Sequence, residues 1–583
     1  MSTHAPRRTV DVIDRRVGLL FGLFLLLLAI ALGRAFYLGT FKSDALRAAA
    51  AVEHINTVTI PAVRGELTDR NGVPLALSES VDSVTADPVL IRHPDRVAAE
   101  LAPLLGETAS QVLPGLTKAH TQYVVLNDQI PASTASKIMN LGINGINDAG
   151  SEHRVYPRNA EAAQVLGWVG ASGGVWGLEE QFNRQLEGTA GTRRVVNDAL
   201  GQAIEVDTTK TMVPGKTLQL TLSAPLQSEV ENVLAGVGAK YKPTSATAIV
   251  TDPQTDQLLA VANWPSVNAN NITSADLKVN DQVAAAEDQA VGFDYEPGST
   301  FKAITIAAAL QDGVVTPSTE IYVPSELQED GHTITDAEPH PNETLTVAQI
   351  LKVSSNIGAD EIGQRLGKAR FAAWVSRFGF GKATGVALPG EEIGQILPLD
   401  KYYGFAMYNL PFGQGESVTP MQMVQAYDAI ADGGVLRTPQ IVDSLGGKAV
   451  AEPKGKQIIS STVAAELRNM LRGVLADGGT ASGAQIPGFD LAGKTGTAEV
   501  AVNGSYSNSK FIASFIGMVP ASNPKLVVAV VVNEPSNGTI YGGSVAAPAF
   551  QKIVGWAVPY FGINPCPNPC PASANASPVT STP

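Results

Sequence analysis

A long run of hydrophobic positions lies near the N-terminus. Residues 17–33, VGLLFGLFLLLLAIALG, contain no charged side chain, and such a run is at the short end of those that cross a bilayer as a helix. It is preceded by four arginines, Arg7, Arg8, Arg15 and Arg16, and positive charge of this kind stays on the cytoplasmic side of a membrane. We therefore expect a cytoplasmic tail over 1–16, a transmembrane helix over 17–34 and an extracytoplasmic remainder.

A cleaved signal peptide is the alternative interpretation of this run. Ala31-Leu32-Gly33 has the small residues of a cleavage site. The apolar core is nevertheless longer than the roughly 7–15 residues that are usual for signal peptides. The pattern favours an uncleaved anchor.

The segment after the apolar run predicts a stalk and then a mixed domain. Residues 35–56 are rich in alanine and helix formers, which is typical of a helical stalk. In TVTIPAVRGELTDRNGVPLA, at 57–76, apolar and polar positions alternate around an Asp-Arg-Asn-Gly turn, and this pattern predicts a hairpin. Short strands, short helices and turns continue to about residue 240 without a catalytic pattern. We expect a scaffold domain over 57–240.

A second pattern of elements extends over 241–560. The sequence predicts two strands within 245–265, a helix over 299–311 and a helix that begins at the capping-box motif TVAQ, 346–349. It also predicts strands at 491–500, 510–520 and 525–535, where β-branched residues are frequent. Sheet strands with helices between them indicate a layered α+β domain, and therefore an α+β multidomain protein.

The composition argues against a nucleic-acid partner and distinguishes the C-terminal tail from the rest of the chain. The chain has 583 residues, 44% of them hydrophobic and 16% charged, with a formal net charge of −14. It has no run of lysine and arginine, so a nucleic-acid partner is not expected. The proline-rich segment 561–583 has the composition of a disordered tail. It contains both cysteines, Cys566 and Cys570, which would form a local disulfide or bind a metal.

Three short motifs carry the candidate chemistry. In chain order they are Ser299-Thr300-Phe301-Lys302, Ser354-Ser355-Asn356 and Lys494-Thr495-Gly496-Thr497. Each is weak alone, because S-x-x-K recurs at Ser507–Lys510 and S-x-N recurs at Ser266–Asn268. Order, spacing and predicted context together distinguish the set from such isolated matches.

The first motif pairs a nucleophile with a base. A serine hydroxyl needs a neighbouring group to take its proton, and residues three apart lie on one face of a helix, so Lys302 can reach Ser299. Burial, the helix N-terminus and a second cation, for which Lys494 is the candidate, would each lower the pKa of Lys302. For an isolated S-x-x-K, a helix cap with a solvated lysine is the commoner explanation.

The other two motifs supply partners for this pair. Ser354 could relay a proton to a leaving amine and Asn356 could hydrogen-bond a substrate amide, although an ordinary helix connection is the simpler explanation for a lone S-x-N.

In the third motif, Lys494 supplies a cation, and hydroxyls of Thr495 and Thr497 could bind a carboxylate. A glycine within a strand, Gly496, indicates a close backbone approach, or otherwise a simple bulge.

Together the motifs resemble those of the penicillin-binding proteins and serine β-lactamases. VRGELTDRNGVPLA at 63–76, HRVYPRNAEAAQVLGWVG at 153–170 and GLEEQFNRQLEGTAG at 177–191 are similar to the pedestal, or dimerisation-type, domain of class B penicillin-binding proteins. NLPFGQGESVTPMQMVQAYDAIADGG at 409–434 and YGGSVAAPAF at 541–550 resemble their transpeptidase domain in the cell-division branch. The resemblance implies a penicillin-recognising serine transpeptidase domain with an antiparallel sheet flanked by helices.

The resemblance also implies an activity. It predicts a D,D-transpeptidase that cross-links peptidoglycan stem peptides during septal wall synthesis, with Ser299 as nucleophile and Lys302 as base. Ser354, Asn356 and Lys494 would complete the catalytic set, and Thr495, Gly496 and Thr497 would bind substrate. It implies no cofactor and no metal, and as partners β-lactams, the membrane, a polytopic glycan polymerase and other cell-division proteins. The alternatives are an elongation-type transpeptidase, a β-lactam-binding sensor and a hydrolase, either carboxypeptidase or β-lactamase.

Two positions depart from the family pattern. Gln164 occupies a position where many relatives have histidine, and Asp288-Gln289 replace an Arg-Asn pair. Neither lies in the three motifs, so we expect local packing or fine specificity to differ, and not the reaction.

Overall fold

The structure is a computed structural model that describes residues 10–43, 55–170, 172–197, 203–280, 283–329, 331–403, 406–502 and 505–566. It divides the chain into two compact units. One consists of Met1–Ala62 and Thr189–Val213, and the other of Val63–Gly188 and Pro214–Pro583.

The first unit contains the apolar helix and a small sheet. The helix runs over Val10–Thr40, and its part Arg15–Thr40 is, within the described ranges, the one helix long and apolar enough to cross a membrane. Most of the predicted stalk, 44–54, lies outside the described residues. Three antiparallel strands form the sheet, in the order Ile55–Ile60, Gly191–Asn197 and Ala203–Lys210.

The second unit begins with the predicted hairpin. Strand Leu67–Thr68 pairs antiparallel with Pro74–Ala86. In the turn between them, Asp69 Oδ1 accepts hydrogen bonds from the backbone N–H groups of Asn71 and Val73, each at 2.8 Å. An aspartate that binds the backbone of its own turn favours this reversal, so the hairpin prediction is confirmed.

The hairpin belongs to a mixed sheet of seven strands. Its other strands are Val124–Ile130, Ile146–Val155, Leu218–Leu220, Val442–Leu445 and Lys448–Ala449. Nearby helices are Pro94–Leu105, Ala109–Leu116, Ala132–Met139, Ala163–Leu166, Gly177–Gln181 and Asn183–Leu186, with a short hairpin of Trp168–Gly170 and Gly173–Val175. Val442–Leu445 pairs with Leu218–Leu220, and Lys448–Ala449 pairs with Val442–Leu445, so the C-terminal half contributes to this sheet.

A buried ion cluster ties the hairpin segment to this part of the fold. The carboxylate of Glu179, which is 0% exposed, contacts Arg64 at 2.6 Å and Arg154 at 2.8 Å. The carboxylate offsets part of the charge of two buried guanidinium groups, which would be costly without it, although Arg154 Nη2 has no hydrogen-bond partner among the described residues.

A five-stranded antiparallel sheet forms the centre of the C-terminal half. Its order is Gln257–Trp264, Ser245–Asp252, Leu526–Asn533, Ser505–Val519 and Ala492–Val502. These pairings confirm the strands predicted at 245–265, 491–500, 510–520 and 525–535. The strand Ala492–Val502 forms one edge of the sheet.

Helices cover both faces of this sheet. Along Leu526–Asn533, Val528, Val530 and Val532 face one core, and Val527, Ala529 and Val531 face the other, because side chains alternate along a strand. One core is closed by helices Ala224–Tyr241 and Gly542–Tyr560. The other is closed by Lys302–Gln311, Pro420–Ala431 and Ser461–Leu475. The predicted fold class is confirmed.

The remaining elements are short and surround the helical layer. They are helices Gln289–Gly292, Val347–Val353, Asn356–Leu366, Lys368–Arg377 and Ala406–Asn409, 3₁₀ turns Gly298–Phe301, Leu399–Lys401, Leu410–Phe412 and Ser482–Ala484, and paired strands Val279–Asn280 with Val283–Ala284, Glu320–Val323 with Glu343–Thr346, Leu327–Glu329 with His332–Ile334, and Val435–Leu436 with Lys456–Gln457.

Only the start of the predicted tail is described. Phe561 follows the last helix directly, and residues 567–583 lie outside the described part of the chain. Cys566 is disulfide-bonded, so of the two interpretations of the cysteines the bridge is the one observed. The other cysteine of the chain, Cys570, lies among the residues that are not described.

Candidate active site

Ser299 lies on a tight turn that leads into a buried helix. The turn is the 3₁₀ segment Gly298–Phe301, and helix Lys302–Gln311 continues from it. Gly298 has φ 53°. A residue with a Cβ atom would adopt this conformation only at a cost in free energy. The Gly298 N–H donates to the Gly413 carbonyl at 2.9 Å. Ser299 itself is half-buried, so its hydroxyl is held on a fixed turn at the protein surface.

Lys302 extends from the first turn of that helix into the second motif. Its side chain is 0% exposed. Its Nζ donates to Asn356 Oδ1 at 2.7 Å and to the Ser354 carbonyl at 2.5 Å, and lies 3.3 Å from Ser354 Oγ. One lysine therefore connects the helix that follows Ser299 to both polar ends of the S-x-N motif.

The S-x-N motif joins two helices, as the sequence predicted. Helix Val347–Val353 begins at the capping box of Thr346 and ends at Ser354, which has φ 66°. The next residue, Ser355, caps helix Asn356–Leu366 by accepting a hydrogen bond from Gly358 N at 2.9 Å. Because the chain turns at Ser354, its carbonyl and hydroxyl oxygens face Lys302 and, as described next, Lys494.

The third motif lies on the edge strand Ala492–Val502. Lys494 is 0% exposed, and its Nζ donates to Ser354 Oγ at 2.8 Å and to the Thr495 carbonyl at 3.0 Å. A Cβ atom added to Gly496 would lie 2.3 Å from Ser514 Oγ and 3.1 Å from the Pro297 carbonyl. The missing side chain thus lets this strand approach the turn that carries Ser299, which is the close backbone approach expected from the sequence.

The threonines of this strand are tied to neighbouring loops. Thr495 Oγ1 is 2.7 Å from Thr480 Oγ1, and Thr497 Oγ1 accepts a hydrogen bond from Gly542 N at 3.0 Å. Thr497 is half-buried. Since its oxygen is used as an acceptor, its hydroxyl proton is available to a ligand.

The two lysines share one buried electrostatic environment. Burial lowers the pKa of Lys302 to about 7, and the Asp336 carboxylate opposes this change. Burial first, and then the charge of Lys302, lower the pKa of Lys494 well below its ordinary value. Two buried cations that share the Ser354 hydroxyl repel each other, so the pair favours loss of a proton near neutral pH.

Two protein-family models match this chain. The family model of the penicillin-binding protein transpeptidase domain matches residues 246–555, and that of the penicillin-binding protein dimerisation domain matches residues 59–220. The chain belongs to the class B penicillin-binding proteins. The predicted family and the two predicted domain types are therefore confirmed, while the domain boundaries stay predictions.

Individual relatives align over nearly the whole chain. Peptidoglycan D,D-transpeptidase FtsI of Escherichia coli is 31% identical over 97% of this chain and 95% of the relative. Stage V sporulation protein D of Bacillus subtilis is 33% identical over 87% of this chain and 79% of the relative. Among solved structures, penicillin-binding protein 3 of Mycobacterium tuberculosis matches with TM-score 0.68 and 26% identity, covering 87% of this chain and 98% of that chain.

The structure brings the three motifs of this family member together, whereas the described hydrogen bonds of Ser507, in the repeated S-x-x-K, are to Ser509 and Lys510 of its own segment. Among the described residues, no hydrogen bond of Ser299 Oγ is found, and Lys302 is turned to Ser354 and Asn356. Ser507 lies on strand Ser505–Val519, where its Oγ accepts from the backbone N–H of Ser509 and Lys510, each at 3.2 Å. That second match lies within a β-strand and has no helix after it.

The sequence analysis did not identify two residues that hydrogen-bond to the backbone of the site. Asp336 Oδ1 accepts hydrogen bonds from the backbone N–H groups of Asn356 at 2.5 Å and Ile357 at 3.1 Å. Tyr427 donates to the Thr300 carbonyl at 2.8 Å and thereby holds the turn that carries Ser299. No local pattern marks Asp336 or Tyr427, because each acts on a residue that is distant in sequence.

The two departures from the family pattern lie together and apart from the motifs. Gln164, 4% exposed, donates from Nε2 to the Pro265 and Ala285 carbonyls at 2.9 and 3.1 Å. Asp288 and Gln164 line one cavity, in which none of the three motifs takes part. That they affect local packing or fine specificity, and not the reaction, stays a prediction.

Proposed function

We propose that this chain is a peptidoglycan D,D-transpeptidase that acts through a Ser299 acyl-enzyme. The observation that carries the proposal is the convergence of two fully buried lysines, Lys302 and Lys494, on the Ser354 hydroxyl beside the turn of Ser299. The name and coverage of the Escherichia coli relative FtsI support it.

Acylation begins with proton transfer from Ser299. Neutral Lys302 takes the hydroxyl proton as Oγ attacks the carbonyl between the two terminal D-alanines of a stem peptide. The first N–H groups of the 3₁₀ turn have no partner within it, so the Ser299 N–H, with that of Thr497, stabilises the negative oxygen of the tetrahedral intermediate. The C–N bond then breaks as Ser354 delivers its proton to the leaving D-alanine amine and takes in its place the proton that Lys302 received from Ser299.

The third motif binds the donor. The terminal carboxylate of the stem peptide accepts hydrogen bonds from the hydroxyls of Thr495 and Thr497, and Lys494 attracts its charge. Gly496 lets the strand lie alongside the extended peptide. Asn356, held by Lys302 and Asp336, donates to a backbone carbonyl of the donor.

The acyl group then passes to an amine of a second stem peptide. A β-lactam mimics the donor and leaves Ser299 in a stable ester. The solved penicillin-binding protein 3 structures of Mycobacterium tuberculosis that contain aztreonam and ampicillin support this expectation. No metal or organic cofactor enters any step.

We further propose a septal role and an outward orientation. The arginines before the apolar helix would keep the N-terminus in the cytoplasm and the catalytic unit outside. Similarity to FtsI and to stage V sporulation protein D supports a role in cell division. In this role the apolar helix and the dimerisation domain would contact a polytopic glycan polymerase of the division machinery.

Labelling by a fluorescent penicillin tests the proposal. The full chain in detergent should form a stable covalent adduct, Ser299→Ala should form none, and the matched control Ser507→Ala should label as the unmodified protein does. Labelling of the Ser299→Ala protein would refute the assignment of the nucleophile.

A second measurement distinguishes the reaction class. A D-Ala-D-Ala stem peptide supplied with a labelled acceptor amine should yield cross-linked product. Hydrolysed product alone would identify a carboxypeptidase, and rapid loss of the penicillin label would identify a β-lactamase.

A further inference from the structure

A short loop lies beside the S-x-N motif and holds Asn356. The loop joins strands His332–Ile334 and Glu343–Thr346. Its Thr335 carbonyl accepts a hydrogen bond from Asn356 Nδ2 at 2.9 Å, and its Asp336 Oδ1 accepts from the backbone N–H of Asn356 at 2.5 Å. The side chain and the backbone of Asn356 are therefore both anchored to this loop.

Through Asn356 and Asp336, the loop also acts on Lys302. Because Nδ2 of the Asn356 amide donates to the Thr335 carbonyl, Oδ1 is the end that faces Lys302, and it accepts from Nζ at 2.7 Å. Burial lowers the pKa of Lys302 to about 7, and the charge of the Asp336 carboxylate opposes that change. The loop thus influences both the position and the protonation of the base proposed for Ser299.

His340 lies against the other oxygen of Asp336. Its Nε2 is 3.1 Å from Asp336 Oδ2, and the two side chains are 15% and 9% exposed. Its Nδ1 is 2.8 Å from the Pro341 carbonyl oxygen and 3.3 Å from Glu343 Oε1. When the two carboxyl groups are ionised, both ring nitrogens therefore face oxygen atoms that can only accept hydrogen bonds.

These contacts favour the charged form of His340. A neutral imidazole has one N–H group, so one of its nitrogens would present a lone pair to a carboxylate or carbonyl oxygen. The imidazolium ion has an N–H group on each nitrogen, and its positive charge lies between the carboxylates of Asp336 and Glu343. Nε2 is buried and has no aligned hydrogen bond among the described residues, so its attraction to Asp336 is that of an ion pair.

The chain around His340 limits how far its ring can move. Pro339 and Pro341 flank it. A proline fixes its own φ and restricts the preceding residue to extended conformations, so the backbone of His340 is restricted. Glu343 begins the strand that pairs with Val323, which fixes the position of the second carboxylate. The fold thus places the ring between its two acidic neighbours.

We propose that His340, as an imidazolium ion, is a positioning residue for the reaction of Ser299. It holds the Asp336 carboxylate against the backbone of Asn356, and it offsets part of the negative charge that this carboxylate directs at Lys302. It makes no contact with the substrate. This role rests on the proposed function, because it concerns the proton acceptor of the same acylation step.

The sign of the electrostatic effect distinguishes this role from a purely structural one. The Asp336 carboxylate opposes loss of a proton from Lys302, and a cation beside it weakens that opposition. Removal of the cation should raise the pKa of Lys302, so labelling of Ser299 should reach half its maximal rate at a higher pH. An ion pair that only stabilises the loop would change the Tm and leave this midpoint where it is.

The pH dependence of penicillin labelling tests the proposal. Stopped-flow measurements on the full chain in detergent, between about pH 6 and pH 9, give the midpoint for each variant. His340→Gln is neutral and should raise the midpoint by about half a pH unit, the order expected for a partly exposed charge that acts through another group. His340→Arg keeps a cation at every pH and should keep the midpoint of the unmodified protein.

A matched histidine and a double variant complete the test. His93→Gln removes an exposed histidine that precedes helix Pro94–Leu105 and makes no side-chain cap, so it should leave the midpoint unchanged. Because His340 acts through Asp336, His340→Gln should shift the midpoint less in the Asp336→Asn protein than in the unmodified protein. Thermal unfolding verifies that each variant is folded, and His340→Ser, a smaller neutral variant, repeats the test if glutamine disturbs the loop.

Three results would overturn the proposal. They are a midpoint that is unchanged or lowered in the neutral variants of His340, a midpoint raised as much in His340→Arg, and equal shifts with and without the Asp336 carboxylate. If labelling depends on Ser299, any of these results contradicts the role of His340 alone. Labelling retained by Ser299→Ala would instead contradict the proposed function, and the role of His340 with it.

Discussion

The rate of acylation of Ser299 should rise with pH through about 7. Only neutral Lys302 can accept the serine proton, and burial lowers its pKa to about 7. The neutral fraction is then roughly 0.09 at pH 6 and roughly 0.91 at pH 8, so the rate constant should increase about tenfold and then level off. Stopped-flow labelling of the full chain with a fluorescent penicillin measures this profile.

The shape of the profile can refute this reasoning. A lysine with an ordinary pKa would give a rate that still rises about tenfold per pH unit at pH 9. Such a profile, or one that is flat from pH 6 to pH 9, would show that Lys302 is not the base in the buried environment described above.

A variant of Asp336 provides an internal check. Its carboxylate raises the pKa of Lys302, so Asp336→Asn should move the midpoint of the profile to lower pH. The amide oxygen of asparagine can still accept the hydrogen bonds from the backbone of Asn356 and Ile357. Asp400→Asn removes an exposed charge that is not among those acting on Lys302, so it should leave the midpoint unchanged. A midpoint that does not move in Asp336→Asn would contradict the electrostatic argument.

Two substitutions test the supports of the fold and of the site. Gly298→Ala places a Cβ atom on a residue with φ 53°, at 3.0 Å from Ala498 Cβ. The resulting strain of about 1–2 kcal/mol should slow penicillin labelling and lower the Tm. Unchanged labelling would contradict this prediction. Glu179→Gln leaves the buried guanidinium groups of Arg64 and Arg154 without a countercharge and should destabilise the protein by about 3–5 kcal/mol. Calorimetry measures that loss, and a Tm within about 1 °C of the unmodified protein would show that the cluster is not needed.

The sequence by itself determined many of the elements and predicted the residues of the candidate site. Alternation and β-branched residues predicted the strands at 245–265 and 510–535, and the capping box of Thr346 predicted the start of its helix, because these signals depend only on neighbours in the chain. The order of S-x-x-K, S-x-N and K-T-G singled out Ser299, Lys302 and Lys494. These candidate site residues could be predicted because each motif is a local pattern of neighbouring residues.

Only the tertiary structure decided what those residues do to one another. Lys302 was expected to face Ser299 directly, whereas its amine contacts Ser354 and Asn356. Its low pKa comes first from burial, which depends on packing of the whole domain.

The same limit applies to the residues that no motif marks. No sequence pattern marked Asp336, and the cavity lined by Gln164 and Asp288 is formed by segments far apart in the chain. Burial, charge and distance arise from contacts between remote segments, so local patterns cannot predict them.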